Sequence, residues 1–93
     1  MMRGKKKRYC RFLENEIVYK PRGITMKDIT INNIEADEFE AIRICDYEGL
    51  SQIEASALMD ISRGTIQRLL NSGRKKIVDS FLNKKAIVIK NKH

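Results

Sequence analysis

The chain has 93 residues, enough for one small domain with a modest core. It carries 19 Lys and Arg against 12 Asp and Glu, a net charge of +7. No apolar run approaches a membrane-spanning length, and no apolar stretch follows the basic start as in a secretory signal, so a cytoplasmic protein with no membrane partner is expected.

In chain order, residues 1–8 read as a basic arm, and Tyr9 to Phe12 and Ile17 to Tyr19 as short β-prone pieces. Lys20-Pro21-Arg22-Gly23 is a turn, with Pro presetting φ and Gly supplying the permissive position. Ile24 to Ile34 reads as a loop with a short extended piece. Asp37 is the expected cap of the next helix, with Glu40 as its capping-box partner. Phe39, Ile42 and Cys45 make its inward stripe, widened by Ala41 and Ile44, and Gly49 ends it.

Two helix starts then lie eleven residues apart. Ser51 with Glu54 is a capping box, and Ser62 is a second N-cap opening a helix at Arg63. Between them Met59-Asp60-Ile61 leaves room for a tight turn, with Asp60 at the left-handed position. Leu50, Ala55, Met59, Ile61, Ile66 and Leu70 are expected to face inward. The outer face of the second helix then carries Arg63, Gly64, Gln67, Arg68 and Asn71. This is the spacing of a helix-turn-helix. The second helix runs on to Leu82, and Gly73, costly inside a helix, suits close approach of a neighbour. Lys85 to Lys90, with Ala86-Ile87-Val88-Ile89 between, reads as a short strand. The N- and C-terminal extended segments are expected to pair with each other in one chain or across a dimer.

The charge is segregated. Residues 1–11 carry Arg3, Lys5, Lys6, Lys7, Arg8 and Arg11 and no acid, whereas residues 34–60 carry eight acids and one base, Arg43. From Ser62 to Ser80 there are five bases, Arg63, Arg68, Arg74, Lys75 and Lys76, against Asp79 alone. Positive charge on the arm, the second helix and the tail is the footprint of a polyanion binder. Arg and Gln side chains read guanine and adenine edges, so Arg63, Gln67, Arg68 and Asn71 are the candidate base contacts. Ser51, Gln52, Thr65, Arg74, Lys75 and Lys76 are the candidate phosphate contacts, the first three near helix N-termini. The basic arm is expected to add phosphate or minor-groove contact.

Other chemistry finds little support. Cys10 and Cys45 form no CxxC pair, Cys45 reads as a small core residue, and the one His is terminal, so no metal site is expected. No nucleophile has a visible base and no Gly-rich loop cradles phosphate, so neither an enzyme nor a cofactor is expected. The alternatives to a duplex-DNA reader are a protein-interaction adapter using the acidic helix, and an architectural or RNA-binding protein using the arm.

Several blocks also carry a resemblance over most of the chain. They are a basic start leading to Cys10, Lys20-Pro21-x-Gly23, Asp37-Glu38-Phe39-Glu40-Ala41-Ile42-Arg43, Asp46-x-Glu48-Gly49-Leu50-Ser51-Gln52, Ser62-Arg63-x-Thr65, Arg74-x-Lys76 and Lys85-Ala86-Ile87. In these the sequence resembles the domain of unknown function 134 family of predicted prokaryotic DNA-binding proteins. Ser62-Arg63-Gly64-Thr65-Ile66 through Arg74-Lys75-Lys76-Ile77 is similar to region 4 of sigma factors. Ser56 and Gly73 depart from such motifs, where Ala is common. The resemblance implies a sigma-region-4-like helix-turn-helix and supports DNA binding without naming a target; the expected function is sequence-specific binding of duplex DNA in transcriptional regulation. The expected architecture is therefore mainly α: a three-helix helix-turn-helix domain with short extended N- and C-terminal segments. Its parts are residues 1–33 (arm and extended segments), 34–82 (helix-turn-helix domain) and 83–93 (basic tail strand), together one compact domain. Double-stranded DNA is the expected partner, bound by a homodimer.

Overall fold

A computed structural model describes residues 16–90. Their order is β1 (Glu16–Tyr19), a 3-10 turn (Met26–Asp28), β2 (Ile31–Ile34), α1 (Ala36–Ile42) continuing into a π-helical turn (Arg43–Tyr47), α2 (Gln52–Met59), α3 (Arg63–Leu82) and β3 (Ala86–Lys90). The expected strand at Tyr9 to Phe12 and the basic arm lie outside the described residues.

A three-stranded mixed sheet, ordered β1-β3-β2, overturns the expectation of a mainly α domain with extended ends. β3 is its centre. It runs antiparallel to β1, with Glu16 opposite Lys90 and Tyr19 opposite Ile87. It runs parallel to β2, with Ile31 opposite Ala86 and Ile34 opposite Ile89. Ala86, Ile87 and Val88 are 0%, 7% and 2% exposed, so the tail is a central strand and not a surface trimming. Its unbroken apolar run suits a strand covered on both faces. The parallel pairing needs a crossover, which α1, α2 and α3 supply. Both edges of β3 are filled within one chain, so of the two pairings expected for the terminal segments the structure takes the one within the chain.

The cap of the first helix lies two residues before the expected one. Glu35 is the N-cap, and the Glu38 carboxylate accepts its backbone N–H at 2.9 Å. Asp37 instead accepts the neighbouring Glu38 N–H, and Glu40 holds the Arg43 guanidinium through two hydrogen bonds of 3.2 and 2.7 Å. The capping box is therefore Glu35-x-x-Glu38. The helix widens at its end, where the Glu48 N–H reaches back five residues to the Arg43 carbonyl at 2.9 Å. Gly49, at φ +78°, then turns the chain into α2.

Ala41, Ile44, Ala55, Ile66 and Leu70 are the buried centre of the helical core, with Ile42, Cys45, Leu50, Met59, Ile61 and Leu69 packed on it. All six residues expected to lock α2 to α3 are in this cluster. On α1 and the π-helical turn after it the deepest apolar side chains are Ala41 and Ile44, with Phe39, Ile42 and Cys45 half-buried, so the inward stripe is rotated from its expected line. Burying an aliphatic side chain such as Ile66 or Leu70 stabilises the fold by about 1.5–3 kcal/mol. Gly73 brings α1 against α3: a Cβ there would lie 2.6 Å from Ile42 Cδ1.

A polar layer joins the sheet to α3. Opposed residues share a face, so Tyr19, Ile87 and Asn32 form one row and Ile17, Ile89 and Ile34 the next. This face meets α3, because Asn32 Nδ2 donates to Asp79 Oδ2 and Ser80 Oγ, both at 2.9 Å. Beside it Lys76 Nζ donates to the Asn33 carbonyl at 2.7 Å and to Glu38 Oε1 at 2.8 Å, and the Ser72 hydroxyl donates to Glu38 Oε2. Among the described residues no helix is long and apolar enough to cross a membrane.

Candidate functional site

The site is built on the turn between α2 and α3. Ser51 Oγ accepts the Glu54 N–H at 3.1 Å and Glu54 Oε1 accepts the Ser51 N–H at 2.8 Å, closing the expected box at the start of α2. Asp60 ends that helix at φ 57°, ψ 46°, the left-handed conformation, and the Ile61 N–H reaches the Ser56 carbonyl at 3.1 Å. Ser62 Oγ then accepts the Thr65 N–H at 3.1 Å and opens α3. Two capped helices meet across a three-residue turn, and the entry angle of α3 is fixed by Met59 and Ile61 in the core.

Arg63, Gly64, Gln67, Arg68 and Asn71 are all exposed on α3. Arg63, Gln67 and Asn71 recur every four residues and so form one row along the helix. Arg68 flanks this row, its Nη2 donating to Thr65 Oγ1 at 3.1 Å, and the Thr65 hydroxyl also meets Ser62 Oγ at 2.9 Å. Among the described residues no carboxylate lies within ion-pair distance of Arg63, Arg68 or Lys75.

The six candidate phosphate contacts divide. Ser51 and Lys75 are exposed, and Thr65 is half-buried beside Arg68. Gln52 is half-buried, with its amide oxygen enclosed and without a hydrogen-bond partner. Arg74 and Lys76 are engaged elsewhere. Arg74 makes a two-pronged pair with Asp46 at 3.1 and 2.7 Å, which holds the Asp46 carboxyl below its ordinary range and raises the Arg74 guanidinium. Lys76 serves Glu38. Burial pushes the Glu38 carboxyl up, but donors from Lys76, Ser72 and the Glu35 N–H outweigh it and leave the pKa lowered. The arm residues Arg3, Lys5, Lys6, Lys7, Arg8 and Arg11 lie outside the described residues, as does Cys10.

Sequence reasoning missed the Glu38–Ser72–Lys76 and Asn32–Asp79–Lys85 groups, whose members are brought together from α1, α3 and the sheet. The one local signal is the i, i+4 spacing of Ser72 and Lys76, which puts them on one face of α3. Nothing local ties them to Glu38.

The family model described as Protein of unknown function DUF134 matches residues 1–93. A UPF0251 protein of Halothermothrix orenii is 39% identical over 87 residues, covering 94% of this chain and 64% of that protein. One of Thermoanaerobacter pseudethanolicus is 40% identical over 87 residues, 94% of this chain and 74% of its own length. A third, of Dehalococcoides mccartyi, is 45% identical over 71 residues, 76% of this chain and 61% of its own. The chain thus spans under two thirds of the length of the Halothermothrix and Dehalococcoides relatives. No solved structure matches it significantly. On the match over its whole length and these relatives, the chain belongs to the DUF134 family.

Proposed function

We propose that this chain binds double-stranded DNA in a sequence-specific way through the first turns of α3, as a prokaryotic transcriptional regulator. The observation that carries this reading is the exposed row Arg63, Gln67 and Asn71, flanked by Arg68, at the start of a helix held by a short turn against α2. In this reading α3 enters the major groove, Arg63 and Arg68 address guanine, and Gln67 and Asn71 address adenine. Ser51, Gln52 and Thr65 near the helix N-termini, and Lys75 farther along α3, are the phosphate contacts in this reading. Arg74 and Lys76 would have to leave Asp46 and Glu38 to bond a phosphate, so they contribute charge and hold α3 in place. The basic arm adds salt-sensitive contact.

A dimer belongs to the same reading, because one motif reads a short half-site and paired motifs read two about one helical turn apart. Val78 and Leu82 at the far end of α3 are 54% and 75% exposed, yet by helical geometry they share the face of the reading row. Pairing there would turn the two rows toward each other. The outer edges of β1 and β2, the edge strands among the described residues, suit symmetric pairing better.

Fluorescence-anisotropy titration of a selected duplex against excess bulk DNA tests the proposal. A specific reader keeps its preferred duplex. Equal affinity for every duplex would mean an architectural binder, and no affinity for any would point to an adapter; either result overturns the reading.

A further inference from the structure

The sheet and α3 part company at one end of the molecule, and a cleft of about 270 Å³ opens between them. Its walls are apolar and partly aromatic: Tyr19 and Ile87 from the sheet, and Phe81 from α3. Tyr19 is 61% exposed and Phe81 73% exposed, an unusual pair to leave in water on either side of a gap. Three lysines, Lys20, Lys84 and Lys85, line the rim. Two are occupied. Lys20 Nζ donates to the Ile24 carbonyl at 2.6 Å, and Lys85 Nζ to Asp79 Oδ2 at 2.7 Å. Lys84 has no hydrogen bond or ion pair among the described residues, and its backbone is held at φ +53°, where glycine or asparagine would be less strained.

We propose that this cleft is a binding site for a small planar aromatic carboxylate. The ring lies between Tyr19 and Phe81, where offset or edge-to-face contacts add to area burial. The carboxylate meets the Lys84 ammonium. The volume admits one ring or a fused pair with a short acidic arm, and it is too small for a dinucleotide. The site stands at the opposite end of α3 from Arg63, Gln67 and Arg68, roughly 20 Å along the helix at the standard rise per residue. Ser80, on its floor, accepts from Asn32, and Lys85 holds Asp79, so an occupant touches the polar layer that fixes α3 to the sheet. Binding does not depend on the DNA reading; use of the site by an effector does rest on it.

The test is an NMR shift titration of the full chain with indole-3-acetate, its neutral counterpart indole-3-acetamide, and acetate. Saturable shifts at Tyr19, Phe81, Lys84 and Ile87 are expected with indole-3-acetate. Binding should weaken at least about tenfold for the amide and for Lys84→Gln, the size of a lost charge-assisted contact, and recover in Lys84→Arg. Lys84 is exposed and bonded to nothing described, so these variants should fold. No saturable shift in the millimolar range, or equal binding of acid and amide, overturns the proposal. So does the same set of shifts on raising protein concentration alone, which would make the occupant a second copy, or on adding any duplex, which would make it a phosphate backbone. An effector role is measured separately, as a change in duplex affinity on saturation, so failure of the DNA reading leaves the binding result standing.

Discussion

Glu38 is 5% exposed and remains an anion because the Glu35 N–H, the Ser72 hydroxyl and Lys76 all donate to it. A buried carboxylate without such donors would take up a proton. Lys76→Met leaves this anion unpaired and should cost about 2–3 kcal/mol, read by chemical denaturation at neutral pH. The Glu38 carboxyl lies below its ordinary value of 4.5, and Asp79, held by Lys85, Asn32 and Asn83, is lowered from 3.8 to about 2. Both groups therefore stabilise the fold fully above their unfolded values, and that stability is lost as pH falls through the lowered ones. The denaturation midpoint should drop between roughly pH 4.5 and 2, and Lys76→Met should flatten the Glu38 part of that drop; a parallel profile in the variant would contradict the assignment. On α3, Arg63→Ala, Gln67→Ala and Arg68→Ala should each cost about 1–3 kcal/mol on a preferred duplex and relax selectivity at one or two positions. Wild-type affinity and selectivity in all three would remove the reading row.

At the scale of elements, the parts written in local chemistry were legible. Ser51 with Glu54, Asp60 in the left-handed turn and Ser62 before Arg63 are all interactions within a few residues, and each stands where the sequence puts it. Ser62→Ala should cost about 1 kcal/mol through loss of its cap. The start of α1 was misread because Asp37 and Glu40 offer the same local pattern as Glu35 and Glu38. What decides between them is remote: Ser72 and Lys76 hold Glu38 inward. Gly73 was legible as a close approach, and its neighbour can now be named. Gly73→Ala sets a gain of about 1 kcal/mol in helix propensity against displacement of Ile42 Cδ1, about 0.5–1.5 kcal/mol if that side chain leaves its rotamer. The net should be near zero in the wild type. In an Ile42→Val background the obstructing methyl is gone, and Gly73→Ala should become stabilising by about 1 kcal/mol. Additive effects in that double-mutant cycle would show that Ile42 does not set the spacing of α1 and α3.

For the whole molecule, the sheet is what the sequence hid. Ile17 to Tyr19 and Lys85 to Lys90 each read as a short β-prone piece and Ile24 to Ile34 as a loop with a short extended piece, but pairing across the helical crossover leaves no local signature. An Ala-Ile-Val-Ile run of this length announces burial without naming its neighbours. The segregation of charge was plain from composition, although the acids on α1 and the turn after it also hold α3 through Asp46 and Glu38. Deleting residues 1–8, which removes Arg3, Lys5, Lys6, Lys7 and Arg8, should weaken binding to all duplexes alike and flatten the dependence of log K on log salt. The central claim is that α3 reads sequence, and selection of bound duplexes from a random library by the full chain tests it most directly. A defined site should be enriched, with twofold-related half-sites if the chain acts as a dimer, and the Arg63→Ala/Gln67→Ala/Arg68→Ala variant should lose that enrichment while keeping its salt-sensitive affinity for bulk DNA. A library that emerges unenriched, or a triple variant that selects the same site as the wild type, would contradict it.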